Sequence, residues 1–219
     1  MIMIKAILFD YDETLVQTLN SKIPAYIALA KERYHFNLSE DTIRKSIGKP
    51  YEEFVYSLYG DVDKVENIIQ IYRDEYSPKF PNMLYPKCLE TVNSLLKKYK
   101  VGILSGYSRD IILTDLKRLA FPVDQMFHIQ TMEDSPYRKP NPKVFDPLFV
   151  VSDKLVISKE EILYIGDDLR DYEAASSAGV KFIAISGHTT KKDVFEKNNI
   201  TNIKHFEELP ALIETVGIE

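Results

Sequence analysis

The chain has 219 residues, 45% of them hydrophobic, with a formal net charge of −5 and one cysteine. That hydrophobic fraction supports a buried core and excludes a disordered chain, and the length accommodates one domain carrying a smaller one. A mildly acidic chain has no electrostatic reason to bind nucleic acid or an anionic membrane, and a lone cysteine, Cys88, excludes an intramolecular disulfide.

The first residues, Met1-Ile2-Met3-Ile4-Lys5, run directly into a strand pattern and lack a signal-peptide layout. No apolar run approaches the ~18 residues of a membrane span. A cytoplasmic protein is expected. Residues 4–9 are almost continuously apolar, as in a strand buried on both faces. At its end come Asp10 and Asp12, which share a side while the strand persists, with Tyr11 turned away into packing. Two carboxylates on one side repel, so a cation is expected beside them. Asp10 can attack phosphorus as a nucleophile, and Asp12 can protonate the leaving oxygen and later activate water.

From residue 16 to residue 86 the alternation of strand and helix stops. Helical patterns follow one another at 21–34, 39–46, 52–58 and 62–76, and Pro78, Pro81 and Pro86 mark an extended return. This stretch reads as a small helical domain, 16–86, inserted into a core built from 1–15 and 87–219. Arg44, Lys49 and the Ile47-Gly48-Lys49-Pro50 turn are its candidates for substrate contact; a solvated basic helix end is the alternative. Tyr51, Tyr56, Tyr59, Tyr72 and Tyr76 stand at helical spacing, which suits packing between helices more than the lining of a pocket.

The core resumes with a helix at 88–99 and a strand at 101–104 that ends in Ser105-Gly106. The Ser105 hydroxyl and the Gly106 N–H can both donate to a phosphate oxygen. A weaker strand follows at 126–129. Lys139 precedes Pro140-Asn141-Pro142, where Asn141 can cap a helix whose first turn holds Pro142. The Lys139 ammonium can then reach both a phosphate and Asp10. Pro147 is expected to interrupt and bend the helix after Lys139. The strand at 162–165 leads into Gly166-Asp167-Asp168, whose hard oxygen ligands suit Mg²⁺, with an acidic helix start as the alternative. A strand at 182–185 and a final helix at 205–216, interrupted by Pro210, complete the chain. His35, His128, His188 and His205 lie away from these motifs in sequence and read as structural or exposed. Strands alternating with amphipathic helices imply an α/β fold, a Rossmann-like parallel sheet flanked by helices, with the all-helical domain inserted. Ligands of such sheets bind beyond the carboxyl ends of the strands, where Asp10, Ser105 and Asp167 all fall.

Taken together, Asp10-Tyr11-Asp12-Glu13-Thr14, Leu104-Ser105-Gly106, Arg138-Lys139-Pro140 and Gly166-Asp167-Asp168-Leu169-Arg170-Asp171 resemble, in order and spacing, the four motifs of the haloacid dehalogenase-like hydrolase superfamily, on its phosphatase branch. The resemblance implies a three-layered α/β core with a helical cap inserted between the first two motifs. It makes Asp10 the nucleophile and an Mg²⁺ ligand, and Asp12 the general acid/base and an Mg²⁺ ligand through its backbone carbonyl. Ser105 and Lys139 would hold the phosphate and Asp167 would bind the metal directly. Asp168 and Asp171 would organise the outer shell of the metal, their relative weight left open. Glu13 stands where the superfamily very often has glycine, and Gln17 where many cap-bearing phosphatases and sugar-phosphate mutases have an acid. Dehalogenases of the superfamily lack an acid two residues after the nucleophile, so Asp12 disfavours dehalogenation. The expectation is a Mg²⁺-dependent phosphatase acting on a small phosphorylated metabolite such as phosphoglycolate or a sugar phosphate. A β-phosphoglucomutase-like mutase and a non-catalytic binding protein of the same fold are the alternatives.

Overall fold

The computed structural model describes residues 3–216. Among them the chain divides into two compact units: one takes in the chain up to Val16 and from Leu84 onward, and the other is Gln17–Met83.

The larger unit is built on a six-stranded parallel sheet: β1 (Ala6–Phe9), β2 (Lys100–Leu104), β3 (His128–Gln130), β4 (Ile162–Gly166), β5 (Lys181–Ile185) and β6 (Asn202–Ile203). Their order is β3-β2-β1-β4-β5-β6. The strands are apolar at successive positions because both faces are covered. Ile7, Phe9, Val101, Ile103, Leu163, Ile165, Ile183 and Ile185 pack in one cluster with Val92 of α5 (Cys88–Leu95), Leu116 of α6 (Arg109–Arg118) and Ile213 of α10 (Leu209–Val216). The alternate residues Ala6, Leu8, Ile162 and Tyr164 pack in another with Leu148 of α7 (Asp146–Lys154) and Ala174 of α8 (Leu169–Ala178). Phe195 of α9 (Lys192–Lys197) packs on Ala184 and Phe182. The two-residue period of the strands thus sorts their side chains into two layers.

Register decides which residues meet. Phe9 is level with Ile103 on one side and with Ile165 on the other. The residues just beyond, Asp10, Ser105 and Asp167, therefore emerge at one edge of the sheet. Strand order reverses between β1 and β4, the switch point where the crossing connections leave a crevice.

Several expected boundaries differ from the observed ones. The helix expected at 88–99 ends at Leu95, and the chain beyond it tightens into three-residue bonds from Lys97 to Ser94 and from Lys98 to Leu95. Pro147 neither interrupts nor bends a helix: it occupies the first turn of α7, where its missing N–H has no partner to lose. Asn141 caps a 3₁₀ turn, Pro142–Phe145, its side chain accepting from the Lys143 N–H at 3.0 Å. Pro210 likewise falls in the first turn of α10. β6 is too short to leave a periodic signal.

The smaller unit contains α1 (Thr18–Arg33), α2 (Glu40–Ser46), α3 (Tyr51–Tyr59) and α4 (Val65–Ile71), with a π turn, Tyr72–Tyr76, continuing α4. Its core comprises Leu29, Ile43, Val55 and Ile68 with aromatic neighbours. Tyr72 stacks on Tyr26 at 4.1 Å, and the Tyr59 hydroxyl donates to the Tyr26 carbonyl at 2.7 Å. Tyr59 and Tyr76 are buried packing residues, whereas Tyr51 and Tyr56 are exposed. No helix among the described residues is long and apolar enough to cross a membrane.

Candidate active site

Asp10 ends β1 and is 6% exposed. Its Oδ2 accepts from the Lys139 ammonium at 2.8 Å, while Oδ1 is buried without a hydrogen-bond partner. Lys139 precedes a cis peptide to Pro140. Its Nζ also lies 2.5 Å from Asp171 Oδ1 and 3.0 Å from the Tyr164 hydroxyl. Tyr164 in turn donates to the carbonyl of Leu104, the residue before Ser105, at 3.1 Å. A hydroxyl buried inside β4 thereby ties the lysine to the end of β2.

The loop after β4 is shaped around Asp171. Its carboxylate accepts from the backbone N–H groups of Asp167 and Asp168 at 3.2 and 3.1 Å, closing the start of α8. Gly166 permits this, because a Cβ there would lie 2.5 Å from Asp171 Oδ2. Asp167 is 2% exposed, and its Oδ1 accepts from the Thr14 hydroxyl at 2.9 Å. Carboxylate oxygens of Asp10, Asp167 and Asp171 all fall within 4.8 Å of one another.

The electrostatics of this cluster are unfavourable without a further cation. Burial pushes the Asp10 carboxyl up to about 7, against the pull of Lys139. Burial first, and then the charges of Asp171 and Asp10, hold Asp167 well above the usual carboxylate range. Burial also opposes the charge on Lys139, but Asp10 and Asp171 outweigh it and keep the ammonium protonated. Three buried carboxylates thus face one ammonium. The orphaned Asp10 Oδ1 and an all-oxygen donor set fit a hard divalent cation.

The residues singled out from the sequence are not all gathered here. Asp10, Lys139 and Asp167 are. Asp12 is half-buried in the turn after Asp10 and bridges to Val16, outside the three-carboxylate group. Tyr11 between them is buried in the core, its ring 5.5 Å from Tyr107 and its hydroxyl bonded to Asp115. Ser105 is 5% exposed and turns its Oγ back to accept from the Tyr107 N–H at 3.2 Å; Gly106 is exposed. Asp168, expected among the metal-binding acids, caps α8 instead. It accepts from the Arg170 N–H at 2.8 Å and pairs with the Arg170 guanidinium at 2.8 Å, and Asp171 takes the place in the cluster. Arg44 and Lys49 belong to the helical unit. Arg44 is paired with Glu40 at 2.7 Å, and Lys49 shares a surface groove with Glu52, Glu53 and Glu66. Sequence reasoning missed Tyr164, which an apolar strand pattern conceals, and gave no role to Thr14, although it stands in the first motif.

The sequence profile of the family described as haloacid dehalogenase-like hydrolase matches residues 7–185. A phosphoglycolate phosphatase of Nitrosospira multiformis is 27% identical over 222 residues, covering 96% of this chain and 96% of its own. A pyrophosphatase, PpaX, of Bacillus velezensis is 26% identical over 187 residues, 84% of this chain and 83% of its own. A haloacid dehalogenase-like hydrolase of Bacteroides fragilis has a solved structure with a TM-score of 0.71 and 30% identity, covering 91% of this chain and 96% of that one. The chain belongs to the haloacid dehalogenase-like hydrolase family, and it is an enzyme of that family's phosphatase branch.

Proposed function

We propose that the protein hydrolyses a small cytoplasmic phosphate monoester through an aspartyl-phosphate formed on Asp10, with Mg²⁺ as the divalent cation. The observation that carries this reading is the buried Asp10 carboxylate, held by Lys139 through one oxygen and left with the other unpartnered beside Asp167 and Asp171. A bound cation would neutralise the carboxylates and polarise the phosphoryl oxygens. Asp10 and Asp167 would hold it, with Asp12 contributing its backbone carbonyl and Asp171 fixing the loop.

Lys139 restricts the rotation of the Asp10 carboxylate and so presents it to the phosphorus. A new bond forms from an Asp10 oxygen to phosphorus as the bond to the leaving oxygen breaks. Asp12, protonated, gives its proton to that oxygen. Water then attacks the acyl-phosphate, Asp12 takes up its proton, and inorganic phosphate leaves with Asp10 restored. Ser105, Gly106 and Lys139 serve as phosphate donors, which requires the Ser105 hydroxyl to turn from its loop and one Lys139 N–H to leave its present acceptor for the substrate. Phosphoglycolate and pyrophosphate, named for the two relatives, support a small, strongly anionic substrate. The single cysteine, unable to pair within the chain, supports a reducing cytoplasm.

The test is phosphate release from p-nitrophenyl phosphate and from a panel of small phosphate esters, with Mg²⁺ and with chelator. Turnover should require the metal, and Asp10→Asn should abolish it, because an amide cannot form the acyl-phosphate. Full activity in chelator, or in Asp10→Asn, would sink the mechanism. Transfer of phosphate to a bisphosphate product in place of its release would favour the mutase alternative.

A further inference from the structure

Glu13 stands in the left-handed region, with a φ of 53°, a conformation that costs a residue with a Cβ and suits glycine. Its side chain is nevertheless not in solvent, since the residue is 7% exposed. The carboxylate Oε2 accepts from the Tyr85 hydroxyl at 2.6 Å. The Tyr85 ring lies flat on the imidazole of His188, with centroids 3.6 Å apart and planes 4° from parallel. His188 Nδ1 lies 2.7 Å from the Glu13 carbonyl oxygen. A carbonyl only accepts, so Nδ1 carries the hydrogen. The contacts close a circuit that grips one residue by its side chain and by its main chain.

Three distant segments of the same unit contribute. Glu13 is in the turn after β1, Tyr85 in the strand-like return before α5, and His188 in the loop after β5. The turn itself is tight: the Glu13 N–H donates to the Val16 carbonyl at 2.9 Å, and the Leu15 and Val16 N–H groups donate to the Tyr11 carbonyl at 3.2 and 3.1 Å. Tyr85 is fixed from its own backbone as well, its N–H donating to the Leu15 carbonyl at 3.0 Å. Asp12 therefore lies between Tyr11, locked in the core, and Glu13, locked in this circuit. Nothing in the chemistry of the carboxylate cluster requires a glutamate, a tyrosine or a histidine at these positions.

We propose that Glu13, Tyr85 and His188 are positioning residues that aim the Asp12 carboxyl at the leaving-group oxygen. The proposal rests on Asp12 being the general acid of the proposed reaction. It replaces the conformational freedom of a glycine with a glutamate anchored from both ends. A general acid is needed most when the leaving group is basic, and least when it departs readily as an anion. A misaimed Asp12 therefore shows itself, in the phosphoryl-transfer step that kcat/KM reports, as a loss that depends on the leaving group, whereas a loosened fold lowers kcat/KM for all substrates alike.

The experiment compares p-nitrophenyl phosphate with phenyl phosphate, which has nearly the same shape and a more basic leaving group, on the full chain with Mg²⁺. Asp12→Asn sets the reference and should lose kcat/KM for phenyl phosphate far more than kcat/KM for p-nitrophenyl phosphate. Tyr85→Phe, which keeps the ring stack and removes only the hydroxyl, should lower kcat/KM for phenyl phosphate about tenfold and kcat/KM for p-nitrophenyl phosphate by no more than about twofold. His188→Ala should behave in the same way, and His188→Asn, whose amide N–H replaces Nδ1–H, should recover most of the loss. If Asp12→Asn shows the selective loss and Tyr85→Phe and His188→Ala show none, or lose both substrates equally, the three residues are structural and the proposal is overturned. If Asp12→Asn itself is unselective, the general-acid reading fails, and the proposal falls with it for a separately visible reason.

Discussion

Lys139 donates to Asp10, Asp171 and the Tyr164 hydroxyl at 2.8, 2.5 and 3.0 Å, so each of its three N–H bonds has an acceptor. With its side chain 15% exposed and that of Asp171 only 1%, the group is a buried ion cluster in which removal of one partner strands the others. Lys139→Met keeps the volume and removes the charge. It is expected to destabilise the metal-free protein by about 3 kcal/mol, measured by urea unfolding, and to abolish turnover. An unfolding midpoint equal to that of the unsubstituted protein would mean that the carboxylates are not held against one another by this ammonium. Cys88 stands at the other extreme. Its thiol is fully buried in α5 and burial pushes its pKa up, which makes it a packing residue.

At the scale of elements, two glycines in the strands have different work. In β2 a Cβ on Gly102 would meet the His128 carbonyl oxygen at 2.6 Å and the Phe127 ring at 3.0 Å, a clash with the neighbouring strand. In β4 a Cβ on Gly166 would meet Asp171 at 2.5 Å, a clash with the group that organises the site. Both Gly102→Ala and Gly166→Ala are expected to destabilise by about 1–3 kcal/mol in thermal unfolding. They should part in kinetics at a temperature where both stay folded. Gly102→Ala should keep its kcat, while Gly166→Ala should lose most of it, because Asp171 holds Lys139 and the Asp167 N–H. Equal kcat values for the two would remove Asp171 from the organisation of the site.

At the scale of the molecule, the chain is two compact units with separate cores, and the carboxylate cluster lies wholly in the larger. The helical unit is proposed to select the substrate while the larger unit carries the chemistry. Arg44 and Lys49 are proposed as its substrate-selecting cations. Arg44→Ala and Lys49→Ala are expected to change the ranking of physiological phosphate esters while affecting p-nitrophenyl phosphate less, as kcat/KM over a panel would show. An unchanged ranking in both would overturn this role and leave Arg44 as the ion-pair partner of Glu40 and Lys49 as a solvated charge beside carboxylates.

Much of this was legible in the sequence. The continuous apolar runs marked β1, β2, β4 and β5, because strands covered on both faces have no polar side to show. The acids and hydroxyl following such runs, with the lysine before Pro140, pointed to the candidate site, because a parallel sheet delivers its strand ends to one edge. The motifs also pointed to the family. Only the tertiary structure decided which acid enters the cluster. Asp168 and Asp171 look equivalent in sequence, but the start of α8 turns Asp168 toward Arg170 and Asp171 inward to two backbone N–H groups and Lys139. It likewise decided that Tyr164, Tyr85 and His188 meet the residues of this region. Their partners are Lys139 and Glu13, 25, 72 and 175 residues away in the chain. Contacts of that range leave no local period or spacing, and folding alone brings them together.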